Sequence, residues 1–115
     1  MSQQAISLLS HPLLLTGAVL ANRFVTPLGA LAGADLNTLG VARYAGAIGE
    51  RVTTDMVGTA IVEAGAAVAA MSTVKSDASG RAIVWAASGA KVALALEAAT
   101  AAGQFIECWL IPNVA

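Results

Sequence analysis

Charge is scarce in this 115-residue chain, with six Lys and Arg against seven Asp and Glu, or 11% of all residues. Soluble domains usually carry about 25%. With a net charge of −1, the chain lacks the simplest means of holding nucleic acid. Arg23, Arg43, Arg51, Lys75, Arg81 and Lys91 are scattered among acids and form no stripe that could neutralise a phosphate backbone. So few charges also make a dispersed monomer hard to keep in solution. They predict that apolar surface is covered by further copies or by a larger assembly. Aromatics are thinner still at 4%, so the hydrophobic fraction of 57% is mostly alanine. Alanine buries little area per residue, and a high mean hydropathy then overstates the packing energy.

One cysteine and one histidine leave little room for metal or nucleophile chemistry. Cys108 sits in the alternating run Phe105-Ile-Glu-Cys-Trp-Leu-Ile111 and reads as a small hydrophobe in a strand. No disulfide framework exists, so nothing points to secretion. His11 stands beside Pro12, whereas a triad or a transition-metal site needs an imidazole oriented by a second group. A single Cys and a single His cannot build a zinc site within one subunit. The carboxylates Asp35, Glu50, Asp55, Glu63, Asp77, Glu97 and Glu107 show no paired or ligand-like spacing. Gly29-Ala-Leu-Ala-Gly33 and Gly46-Ala-Ile-Gly49 lack both GxGxxG and a Walker Gly-Lys, and read as turns. Ser88 has no base and no nucleophile elbow. The chain therefore reads as a non-enzyme without catalytic, cofactor-binding or metal-ligating residues.

The first 22 residues hold no charged side chain. Leu13-Leu14-Leu15 and Val19-Leu20-Ala21 imitate a signal peptide, but the basic n-region is missing and His11-Pro12 interrupts the apolar stretch. Ser2, Gln3, Gln4, Ser7 and Ser10 make it too polar for a membrane span. Both readings are rejected. Residues 1–12 show no clear strand period and read as an extended or weakly helical arm, followed by one β-rich domain over 13–115.

Eleven glycines punctuate the chain and leave no room for a helix of ordinary length. Short β-type runs lie between them: Leu13–Val19, Phe24–Leu28, Leu39–Tyr44, Arg51–Val57, Thr59–Glu63, Val68–Lys75, Ala82–Trp85, Lys91–Leu96 and Phe105–Ile111. Asp77-Ala-Ser-Gly80 and Ala87-Ser-Gly-Ala90 have hairpin chemistry. They predict a meander in which the strand over 81–85 is central, flanked by 68–75 and 91–96. Glu97–Gly103 predicts at most one short helical turn, with Gly103 as its stop. Many short strands at near-regular spacing mean an all-β fold, a small β-barrel or sandwich. Trp85 and Trp109 are expected in the core or at a contact between copies.

Several phrases occur together in order: Leu39-Gly-Val-Ala-Arg43, Ala47-Ile-Gly-Glu-Arg-Val-Thr53, Gly58-Thr-Ala-Ile-Val-Glu-Ala-Gly65 and Asp77-Ala-Ser-Gly-Arg-Ala82. The most characteristic is Ala95-Leu-Glu-Ala-Ala-Thr-Ala-Ala-Gly-Gln-Phe-Ile-Glu107, closing with Leu110-Ile-Pro112. Over Leu39–Pro112, about two-thirds of the chain, the sequence resembles the capsid cement, or head decoration, proteins of tailed phages. The resemblance implies a small β-barrel, commonly a homotrimer, on the outside of a phage head, where it clamps neighbouring major capsid subunits against packaged DNA. It implies made-in-host, virion-borne structural work with no cofactor, no direct nucleic acid and no membrane. It carries no motif onto residues 1–20. Composition alone selects Gln3, Gln4, Ile6, Leu8, Leu9, Pro12, Leu13 and Leu14 as capsid-contact candidates in an arm that adds to a neighbouring sheet. The competing readings are a secreted or periplasmic β-domain with a signal, and a small-ligand-binding β-barrel.

Overall fold

The alternation of apolar and polar residues that begins at Arg51 does not stop at Gly58. It runs on to Glu63, so the two expected strands fuse into one of 13 residues, and every other part of the fold hangs on it. The structure is a computed structural model, and it describes residues 5–111. Its strands are β1 (Ser7–Leu14), β2 (Phe24–Val25), β3 (Gly40–Ala42), β4 (Arg51–Glu63), β5 (Thr73–Ser76), β6 (Ala82–Val84), β7 (Ala93–Ala95) and β8 (Phe105–Leu110). No helix occurs among the described residues. The all-β fold expected from the glycine spacing is the one found.

The strands form one sheet in the order β2-β3-β4-β8-β7-β5-β6, and β1 pairs with β4 off this path. The two halves of β4 have different partners. Its first half, Arg51–Gly58, takes β1 on one edge, while Val41 and Ala42 of β3 pair with Asp55 and Thr54. Its second half, Gly58–Glu63, pairs with the whole of β8. Just past β4, Ala64 makes a parallel bridge to Ala82 of β6, and Gly65 N donates to Ala82 O at 2.8 Å. That bridge carries the sheet from β6 back to β4. β4, β8, β7, β5 and β6 therefore form a nearly closed barrel, with the pairs of β1 and of β2–β3 appended to its long strand.

Inside the ring lies a cluster of small side chains, Ala60, Ala64, Ala82, Ala90, Ala93, Ala95, Ala99 and Cys108, among Val62, Val74, Val92, Ile106 and the single aromatic Phe24. A second cluster of Leu13, Leu15, Val19, Val25, Ala42 and Val52 sits beneath the first half of β4. The buried side chains Val52, Thr54, Ala60 and Val62 of β4 fall at even numbers, as a period of two requires, and the alternation breaks at Asp55, which is buried, and Met56, which is not. Gly58 has φ +107°, and a Cβ there would collide with Ile6 O. Only glycine lets β1 close against β4 at this point.

Four local expectations are corrected. The first strand starts at Ser7 and ends at Leu14, not over 13–19; beyond Leu14 the chain bends, and Val19 makes only a bridge to Gly46. The meander is rearranged, because β5 and not β6 is central, paired with β6 on one edge and β7 on the other. The stretch 85–92 is a wide connection rather than a tight hairpin: Trp85 N reaches back to Thr73 O at 2.9 Å and Val92 N to Val74 O at 3.0 Å, so both ends lie on β5. The corner after Glu97 forms no helical turn. Glu97 Oε1 accepts from Glu107 N at 2.7 Å, and Ala99 bridges Val68 instead of the preceding turn. Gly103 does take the positive φ expected of it, +90°.

Ion pairs hold the barrel seam. Glu63 receives Arg23 Nη2 at 3.2 Å and Arg81 Nη1 at 3.6 Å, and Arg81 Nε reaches Asp77 Oδ2 at 3.2 Å. Asp77 Oδ1 also accepts from the backbone of Ser79 and Arg81 at 2.8 and 2.9 Å, which fixes the β5–β6 turn. Replacing Glu63 by Ala leaves two half-buried guanidinium groups without their shared partner, and should lower stability by about 2 kcal/mol in urea unfolding. Gly58→Ala should cost about 2 kcal/mol through backbone strain. Its loss should be accompanied by faster amide exchange across β1 than across β8.

Candidate docking surfaces

β1 is the outermost strand on its side of β4, and most of it faces solvent. Ile6, Leu8, Leu9 and Leu14 are exposed by about half or more, Leu8 by 75%. Pro12 is exposed as well. Leu13 differs: it is buried in the second core cluster opposite Val52 and pins β1 to the body. Gln3 and Gln4 lie outside the described residues. Five of the eight contact candidates thus lie on one strand, with Ile6 just before it and Leu13 serving as its anchor.

The pairing of β1 is irregular. Register shifts flank Leu9, between Ser7↔Gly58 and Leu9↔Val57 and again before Ser10↔Asp55. Such bulges twist an edge away from flat pairing. Leu15 N donates to Glu50 O at 2.9 Å, so alternation turns the amide position of residue 12 toward the free edge. Proline there has no N–H to offer, and Arg51 Nη1 covers its carbonyl at 3.4 Å. The free edge is blunted at its middle.

The two tryptophans occupy different settings. Trp85 is half-buried in the wide connection after β6, where its Nε1 donates to Gly89 O at 2.9 Å and Lys91 Nζ stands 4.5 Å over its ring. Trp109 stands on the outer face of β8, 52% exposed, opposite Thr59 of β4 and Leu94 of β7. Val57 and Leu9 continue that outer face diagonally. Neither ring lies in the barrel interior.

Charged groups are engaged within the chain. Besides the seam, Arg43 pairs with Asp55, Lys75 Nζ sits 2.7 Å from Asp35 Oδ1, and Glu50 Oε1 accepts from Ala47 N at 2.6 Å. The hydrogen bond to Asp55, and then its charge, raise the Arg43 pKa above the ordinary guanidinium value. Cys108 is fully buried, and burial, with Glu97 and Glu107 nearby, pushes its thiol up to about 12. Among the described residues no pocket opens, and no three His, Cys, Asp or Glu gather as metal ligands. What the surface offers is apolar side chains on strands and turns. Sequence reasoning missed the exposed turn residues Leu28 and Ile48, because a leucine or isoleucine in a glycine-rich turn carries no period that marks it as outward.

Residues 3–110 match the family described as phage cement protein. No curated protein sequence matches the chain. Among solved structures, the N base of the head fibre of bacteriophage phi29 is similar, with a TM-score of 0.71 and 18% identity over 90% of this chain and 93% of that one. At that identity the likeness speaks for the fold alone.

The buried thiol reports on the barrel independently of these likenesses. Because its folded pKa lies above the unfolded value near 9, the folded state keeps a proton that the unfolded state loses between about pH 9 and 12. Stability should fall across that window by up to about 1.4 kcal/mol per pH unit. The difference between wild type and Cys108→Ala in urea unfolding isolates this slope, and a thiol reagent at pH 8 should modify the wild type only after unfolding.

Proposed function

The chain belongs to the phage cement protein family, and from that premise we propose that it is a non-enzymatic capsid decoration protein. It binds the outer surface of a phage head and stabilises contacts between neighbouring major capsid subunits. The observation that carries this reading is the family match over residues 3–110, which spans every strand of the fold. The surface supports it. Charged groups are spent inside the chain on ion pairs and turn bonds, while Leu8, Leu28, Ile48 and Trp109 face outward. Such a surface suits protein neighbours better than water.

In this proposal residues 1–12 act as the gripping arm and 13–115 as the body. Ile6, Leu8, Leu9, Pro12 and Leu14 present the apolar contact, and Leu13 ties the strand back to the second cluster. The protein works as a trimer in the virion, made in the host cytoplasm, with Trp109 on an outer face suited to contact between copies. Three linked copies bind as one multivalent unit, so individually weak contacts hold together.

Light scattering should give a trimer mass for the purified protein, and the trimer should co-sediment with expanded, DNA-free heads. A monomer that stays in the supernatant would overturn the proposal. Leu8→Lys together with Leu9→Lys should leave the melting temperature within about 3 °C of wild type, since both side chains are exposed. The same pair should weaken head binding at least tenfold.

A further inference from the structure

Four large apolar side chains, Leu14, Leu20, Leu28 and Ile48, are exposed by 48, 49, 79 and 72% and belong to neighbouring segments at one end of β4. The chain from residue 14 to 20 runs between two turns. On one side Thr16 N donates to Gly29 O at 2.9 Å, and Thr16 Oγ1 to Leu28 O at 2.8 Å. On the other, Gly49 N donates to Leu15 O at 3.0 Å, and Val19 N to Gly46 O at 3.0 Å. Directly beneath lie Leu15, Val19, Val25 and Val52 of the second core cluster, so the three segments rest on a packed floor.

This end carries no charge. Residues 14–22, 26–34 and 44–49 contain no Asp, Glu, Lys or Arg. The nearest charged groups are occupied, Glu50 on Ala47 N and Arg51 on Pro12 O. At the other end of β4 the loop 64–72 is also uncharged, but it exposes alanines and a single large side chain, Met71, beside the ion pairs of Glu63.

We infer that the end built from the charge-free segments 14–20, 26–30 and 46–49 is the face turned to the head shell, seated on an uncharged, apolar patch of capsid surface. The inference rests on the cement reading and adds to it where the molecule touches its partner. The size of the patch selects the shell over a second copy. The four side chains expose on the order of 450 Å², a functional patch in size but well short of the roughly 800 Å² per partner of a stable protein pair. Contacts of that size hold when they are repeated, and a shell presents the same surface many times to an oligomer. No charged side chain within these three segments must be desolvated on docking.

The test uses Leu28→Lys, Ile48→Lys and the double variant, with Met71→Lys as a control at the far end. All three sites are exposed, and melting temperatures check that the fold is kept. The probe is expanded, DNA-free heads of the encoding phage, assembled without this protein, and the readouts are co-sedimentation and solution mass. Each single variant should bind heads at least tenfold more weakly, the double variant should not bind, and the oligomer mass should be unchanged. Met71→Lys should bind as wild type. A double variant that decorates heads like wild type would overturn the assignment of this face while leaving the cement reading intact. A double variant that loses its oligomer mass would overturn it too, because the end would then join copies. Wild-type protein that ignores heads would overturn the cement reading itself.

Discussion

The close approach of backbones around a narrow ring is the constraint from which most of this structure follows. Barrel width grows with strand number, and a ring of five strands leaves space for little beyond methyl and isopropyl groups. The interior is filled accordingly, with Ala60, Ala64, Ala82, Ala93, Ala95 and Cys108 between a few valines, Ile106 and one phenylalanine. The alanine content that looks wasteful in a composition table is therefore the packing solution for this geometry. The same economy holds outside the ring. At Gly40 a Cβ would strike Asp55 O, so β3 and β4 come together only over a bare α-carbon.

A thin core contributes modestly per residue, and polar groups make up part of the difference at specific joints. The seam where the sheet returns on itself is held by one parallel bridge, Ala64 to Ala82, a small number of backbone bonds for so important a junction. Glu63, Arg23, Arg81 and Asp77 converge there, from β4, the approach to β2, and both sides of the β5–β6 turn. With side chains only 15–30% exposed, these pairs are screened less than ordinary surface pairs. Spending charge on the seam leaves little for the exterior, and an apolar exterior is tolerable for a protein of the cement family because a virion surface supplies neighbours.

The strand content, the absence of long helices and the positive φ at Gly103 were all legible in glycine spacing and alternation. The order of strands was not. Turn chemistry in Ala87-Ser-Gly-Ala90 suggested a tight hairpin, yet the chain uses that segment to step over β5, and no local signal distinguishes the two paths. The ion-pair seam was invisible for a simpler reason: Arg23 and Glu63 are 40 positions apart and meet only once the ring has closed. Leu13 and Leu14 look alike in sequence, and which of them points inward depends on the register with Val52 and Arg51.

The length of β4 has a mechanical consequence. Hydrogen bonds in an antiparallel ladder lie perpendicular to the strands. A pull along β4 therefore loads its bonds to β1 on one edge, and to β3 and β8 on the other, in parallel, and they resist as a group. A pull across the sheet would open the same ladders one bond at a time. The molecule is stiff along one axis and peelable along another.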